Sequence, residues 1–186
     1  MTPRGAEPAW AGEVLKFWFE ESRAADWFRK SDAFDAAIRE RFGALHEQLS
    51  GMGAPEAGDA RQTLASVIVL DQFSRNLFRG SARAFAADAA ALKLARDALG
   101  KGFDAGMTNN ERLFLYLPFE HSEDARDQAR SVALISALGD AELTKYAEAH
   151  KRIIDRFGRF PHRNAALGRV SSAEEIEFLK QPMSSF

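Results

Sequence analysis

The stretch DARQTLASVIVLDQFSRNLFRG, residues 59–80, decides how the chain is read. Its apolar centre, Val67 to Leu70, is rich in β-branched residues, yet it is brief and does not alternate with polar positions as a half-buried strand does. Leu64, Val67 and Ile68 fall three and four apart, so the run continues one face of a helix. Asp59 followed by Gln62 has capping-box spacing, which places the start of that helix.

Working outward, the same period recurs along the chain. Trp10, Val14, Phe17 or Trp18, and Glu21 give a short helix with an aromatic face. Phe34, Ile38, Phe42, Leu45 and Leu49 form a seam opened by Ser31 or Asp32 and stopped by the glycine-rich segment at 51–58. An alanine-rich helix is expected over Ser81–Leu99, ended by Gly100 and Gly102. Thr108 and Glu111 open another, which must stop or bend near Pro118. Val132, Ile135 and Leu138 mark a further helix, Leu143 to Phe157 a long one ended by Gly158, and Ser171 or Ser172 a last short one through Leu179. The reading is all-α: about eight helices, stacked as antiparallel pairs or packed as an irregular bundle, with no strict 34-residue repeat. At 186 residues a single domain, residues 1–186, is expected, with a mobile N-terminal extension at 1–8.

Composition narrows the function classes. Hydrophobic residues make up 46%, charged residues 28%, and the formal net charge is -2, so neither disorder nor a general nucleic-acid coat is indicated. With no cysteine, disulfides, iron–sulfur clusters and thiolate chemistry are excluded. Glu13, Lys16 and Glu20 interrupt the N-terminal apolar residues, which removes a signal-peptide core and a membrane span and gives a cytoplasmic expectation.

Three polar segments carry the functional candidates. In DQFSRNLFRG, Asp71, Arg75 and Arg79 are four apart and can share a helical face. Either Arg75 and Arg79 present forked donors to a carboxylate or phosphate with Asp71 orienting one of them, or the arginines tie helices together; Asn76 could bridge internally. In FEHSED, residues 119–124, the acids beside His121 resemble a metal site, but Ser122, Glu123 and Asp124 suit a helix start. No metal-ligand pattern accompanies them, so no metal and no cofactor is expected. From His150 to Arg169, six Lys or Arg face one acid, Asp155, a local excess that suits an anionic partner. Phe157, Phe160 and Pro161 frame the turn from which His162, Arg163 and Asn164 emerge. His150 is either a satisfied, partly buried histidine or, beside His121 or His162, a general acid or base.

LDQFSRNLFRGSARAF at 70–85, ERLFLYLPFEHSED at 111–124, HKRIIDRFGRFPHRNAALGR at 150–169 and SSAEEIEFL at 171–179 occur in an order that resembles the bacterial family catalogued as domain of unknown function 924. The resemblance implies a tetratricopeptide-like helical superhelix and brings no reaction, substrate or cofactor. It marks Asp71, Arg75, Asn76, Arg79, His121, Glu123, His150, Arg159, His162, Arg163 and Asn164 as characteristic positions. Ser74 stands where the most familiar form of the first motif has proline.

These features lead to an expected ligand- or peptide-binding helical domain that recognises an acidic peptide or a phosphorylated small molecule, with several motif residues on a concave face. The competing readings are a small hydrolase-like enzyme using histidine acid/base chemistry, and a structural interaction domain without catalysis. Nucleic acid and membrane are not expected partners, and the sequence does not fix an oligomeric state.

Overall fold

In a computed structural model, residues 8–53 and 56–186 are described. Of the expected N-terminal extension only Pro8 falls among them; residues 1–7 lie outside. The described chain is all-α, with ten α-helices, two π-helical stretches, three 3-10 turns and no strand. Its contacts form two compact units. The first comprises the described residues to Arg79 together with Arg83–Leu115, and the second Gly80–Ala82 together with Tyr116–Phe186.

In the first unit, α1 (Ala9–Lys16) packs on α4 (Ala60–Val67), α4 on α6 (Asp88–Gly100), and α3 (Asp32–Gly51) on α5 (Ser74–Leu77). Local caps set the borders: Ser31 accepts from the Phe34 amide, and Asp59 from the Gln62 amide. The core is aromatic. Trp18 is fully buried and lies 5.3 Å from Phe114, 5.6 Å from Phe73 and 5.8 Å from Phe34, ring centre to ring centre. A short helix absent from the sequence reading, α2 (Ala24–Trp27), brings Trp27 to 4.9 Å from Phe114.

Helix α4 runs without a break into the π-helical stretch Ile68–Phe73 and then α5, so Val67–Leu70 is helical as expected. A π turn sets the main chain out of its usual four-residue register. Here side chains supply donors four residues on: Ser74 Oγ to the Leu70 carbonyl at 2.6 Å, and Arg75 Nη1 to the Asp71 carbonyl at 2.8 Å. The expected helix from Ser81 instead begins at Asp88, after a 3-10 turn at Ala82–Ala84. Asp88 is the first acid of the segment, and its negative charge suits the positive start of α6.

Helix α7 (Asn109–Glu120) opens on the expected Thr108–Glu111 box and stops two residues beyond Pro118, within the turn the proline weakens. The second unit contains its last residues, α8 (Ala125–Ser136), α9 (Ala141–Phe157) and α10 (Ala173–Phe178). Helices α8 and α9 pack together. Gly158 closes α9 with φ of 68°, a left-handed conformation glycine adopts without a side-chain clash. Ile153, Ile154 and Phe160 form a buried cluster with Phe157 and Phe178 against it. Gln128 is fully buried, and its Nε2 donates to the Glu120 and Ser122 carbonyls at 2.6 and 2.7 Å, finishing the end of α7.

Candidate functional site

The motif residues assemble in two groups, one in each unit. In the first, Arg75 extends a bidentate fork to Asp88, at 3.0 and 3.1 Å, and its Nη1 also lies 3.2 Å from Asp71. Burial disfavours the Arg75 charge, but Asp71 and Asp88 outweigh it and raise the guanidinium above its ordinary value. Asp71 is fully buried and accepts from Gln72 Nε2 at 2.5 Å. Asn76 and Arg79 both donate to Asp35 of α3, Asn76 at 2.7 Å and Arg79 at 2.5 and 2.9 Å. Burial works against the Asp35 charge, and Arg79 and Asn76 reverse this and lower its pKa. Arg75 thus joins α5 to the start of α6, and Arg79, just beyond α5, joins α3.

The second group splits again. Glu123 receives the Phe160 amide at 2.7 Å and the Arg169 fork at 2.7 and 3.0 Å. Asn164 donates to Ser171 and accepts from Arg169 Nε, at 3.0 and 2.9 Å. Arg159 grips Glu175 at 2.7 and 2.8 Å, and this bond, with the Ser172 amide, pushes Glu175 down to about 2. These residues staple the Arg159–Ser172 loop and the start of α10.

The histidines gather separately. The His150 ring lies 6.4 Å from that of His121, and Phe160 stands 5.6 Å from His150 and 5.5 Å from His162. Arg163 is buried, its guanidinium carbon 4.6 Å over the Phe160 ring. Phe186 stacks on His150 with ring centres 3.8 Å apart and meets His162 edge-on at 6.3 Å. His150 thus lies beside His121 and shares Phe160 with His162, and it is itself buried.

His150 Nδ1 lies 2.9 Å from the Tyr146 carbonyl, an acceptor only, so this nitrogen carries the hydrogen and donates. The Glu120 carboxyl approaches the same nitrogen at 3.2 Å, a longer second contact. Burial drives the His150 pKa down to about 3; the Tyr146 bond opposes this, and His121, His162 and Arg163 add to the depression. The ring is therefore neutral at pH 7. The unfolded chain takes up the proton near pH 6.5 and the folded chain only near 3, so the stability from this group is complete above 6.5 and is lost as pH falls below it. Wild type is expected to lose about 2 kcal/mol more unfolding free energy than His150→Gln between pH 7.5 and 5. Urea titrations of both chains across that range check it, and parallel pH profiles would contradict a neutral native His150.

Sequence reasoning missed the partners Asp35, Asp88 and Arg169, the aromatic Phe186, and His46, whose Nε2 lies 2.7 Å from Ser74 Oγ. Asp35 lies 41 residues from Asn76 and 44 from Arg79, and no local pattern signals such a partner.

None of the curated proteins matches this chain. A solved structure, that of a protein of unknown function, ATU0120 from Agrobacterium tumefaciens, is similar with a TM-score of 0.84 at 37% identity, over 92% of this chain and 97% of that one. The motif order, the helical architecture and a match over residues 14–183 agree: the chain belongs to the bacterial family of unknown function DUF924.

Proposed function

We propose that the chain binds a small molecule bearing an acidic or phosphorylated group, received in the second unit by His121, His150 and His162 beside Arg163. The observation that carries this reading is the crowding of His150, His162 and the buried Arg163 guanidinium around Phe160, with the His121 ring 6.4 Å from that of His150. His121, His162 and Arg163 each disfavour a positive charge on His150, and an arriving anion relieves that repulsion. Binding is then linked to proton uptake, and the affinity rises as pH falls. A guanidinium shielded from water also attracts an anion more strongly than an exposed one. Arg75, Arg79, Arg159, Asn76, Asn164 and Glu123 serve as framework in this reading.

The packing of α8 on α9 suits a tetratricopeptide-like scaffold, a fold class that offers extended concave binding surfaces. A cytoplasmic setting accords with the cysteine-free sequence. Proton-transfer catalysis by His150 ranks second: Glu120 and the neutral ring favour it, but a base whose conjugate acid titrates near 3 is poorly matched to neutral pH.

Phe186 is 45% exposed while the His150 it covers is 5% exposed, so Phe186→Ala should uncover the cluster with little loss of core. Calorimetric titration with inorganic phosphate, phosphoserine, succinate and an acidic peptide, at pH 6 and 7.5 and at two salt concentrations, tests the proposal. Saturable binding with proton uptake is expected, tightened by Phe186→Ala and weakened about tenfold or more by Arg163→Met. Saturation by none of these ligands, in either wild type or Phe186→Ala, would leave the purely structural reading standing.

A further inference from the structure

Residues 181–186, beyond α10, are exposed except for Ser184. Ser184 Oγ donates to the Leu179 carbonyl at 3.2 Å, long for a hydroxyl bond. Met183 has φ of 60°, the one left-handed residue other than glycine among those described. In that conformation Cβ crowds the following carbonyl, so a residue with a side chain holds it only where its surroundings impose it. Three residues on, Phe186 lies on His150, with ring centres 3.8 Å apart and planes 27° from parallel. His162 and Tyr146 stand nearly at right angles to the same ring, at 6.3 and 6.4 Å.

His150 is a prepared platform for a ring. The Tyr146 carbonyl holds its Nδ1 at 2.9 Å and Phe160 meets it edge-on at 5.6 Å, and neither contact depends on Phe186. A platform fixed in advance loses little freedom when a ligand lands on it. Stacked and T-shaped contacts are specific to flat rings, since a saturated ring has no π face to offer. Phe186 is itself partly open to solvent, so the place that it fills is reached from outside once it leaves. A ring held there by an exposed segment with a strained turn is displaced at small cost.

We infer that the Phe186 ring holds the place of the ligand's own aromatic ring: the second unit takes an aryl acid, and residues 181–186 swing off as it enters. The aryl group stacks on His150, and its acidic substituent lies beside His162, whose ring centre is 6.3 Å from that place. A ringless acid gains no stack in exchange, so the segment favours ring-bearing acids. This assignment rests on the reading of the histidine cluster as an anion site, but the two fail differently.

Two matched pairs test it by calorimetry on the full chain: phenyl against cyclohexyl phosphate, and benzoate against cyclohexanecarboxylate, with inorganic phosphate and succinate as ringless acids. In at least one pair the flat member should bind about two- to tenfold tighter, although the saturated ring is the more hydrophobic. The His150 ring resonances should move with that flat acid. Phe186→Ala should tighten it about tenfold, the factor for a place open in one molecule in ten. Met183→Pro, which forbids the left-handed turn but keeps the phenyl ring, should also tighten it, and circular dichroism checks that both variants fold. Saturable binding of phosphate or succinate with no preference for the flat member of either pair would overturn the aryl place and leave the anion site standing. Saturation by none of the acids, in wild type or Phe186→Ala, would overturn both. Unmoved His150 resonances, or wild-type affinity for the flat acid in both folded variants, would also overturn the assignment.

Discussion

Asp71→Ala is expected to lower the unfolding free energy by about 3–5 kcal/mol, the range for stripping one partner from a buried ion pair. The carboxylate is fully buried, takes the Gln72 amide at 2.5 Å and faces Arg75 at 3.2 Å. Without it, Gln72 loses an acceptor in the interior and Arg75 loses one of the two carboxylates that offset the cost of its own burial. Most of the loss is thus the cost of the stranded cation, which gives the prediction a second arm. In Asp71→Ala with Arg75→Met the cation is gone, so the double variant should be markedly more stable than the sum of the two single losses. Denaturant unfolding of the four chains measures both. A single-variant loss under about 1 kcal/mol, or simple additivity, would mean that the pair is solvated.

The second large effect is expected at Trp18. Trp18→Ala should cost about 3–5 kcal/mol, since it removes a fully buried ring packed against Phe34, Phe73 and Phe114 and leaves a cavity. Trp18→Phe should cost much less than the lost area suggests. The indole N–H is buried without a hydrogen-bond partner among the described residues, so removing it relieves a polar penalty while a ring remains against its neighbours. Thermal unfolding of both variants decides this. Equal losses would show that the indole nitrogen carries no such penalty.

Much of the architecture was legible because helix starts are written locally. Ser31, Asp59, Thr108 and Ser172 each accept from the amide three residues beyond them, and such contacts depend on the local sequence alone. Where no such cap exists, the border moved: α6 begins at Asp88, seven residues after the serine expected to open it. Helix α2 spans only four residues and has no apolar period to find.

The site was legible in part for the same reason. Asp71 and Arg75 are one turn apart, and their pairing follows from spacing alone. The spacing of His121, His150 and His162 along the chain does not say whether they approach one another; that depends on how Phe160 and Phe186 pack on His150 and His162. The counterions were not legible. A carboxylate 37 to 46 residues distant, as Asp35 and Glu123 are from their partners, leaves no mark in either sequence neighbourhood.

The side-chain donors at the π turn carry one more implication. Because Ser74 and Arg75 reach back to the carbonyls of Leu70 and Asp71, the path of the main chain in that segment is written partly in residue identity at positions 74 and 75. Exchanges at these two positions therefore act on backbone shape as well as on chemistry. Through Ser74 the same hydroxyl also dictates which nitrogen of a distant imidazole holds the hydrogen, so a single atom couples helix geometry to the tautomer of His46.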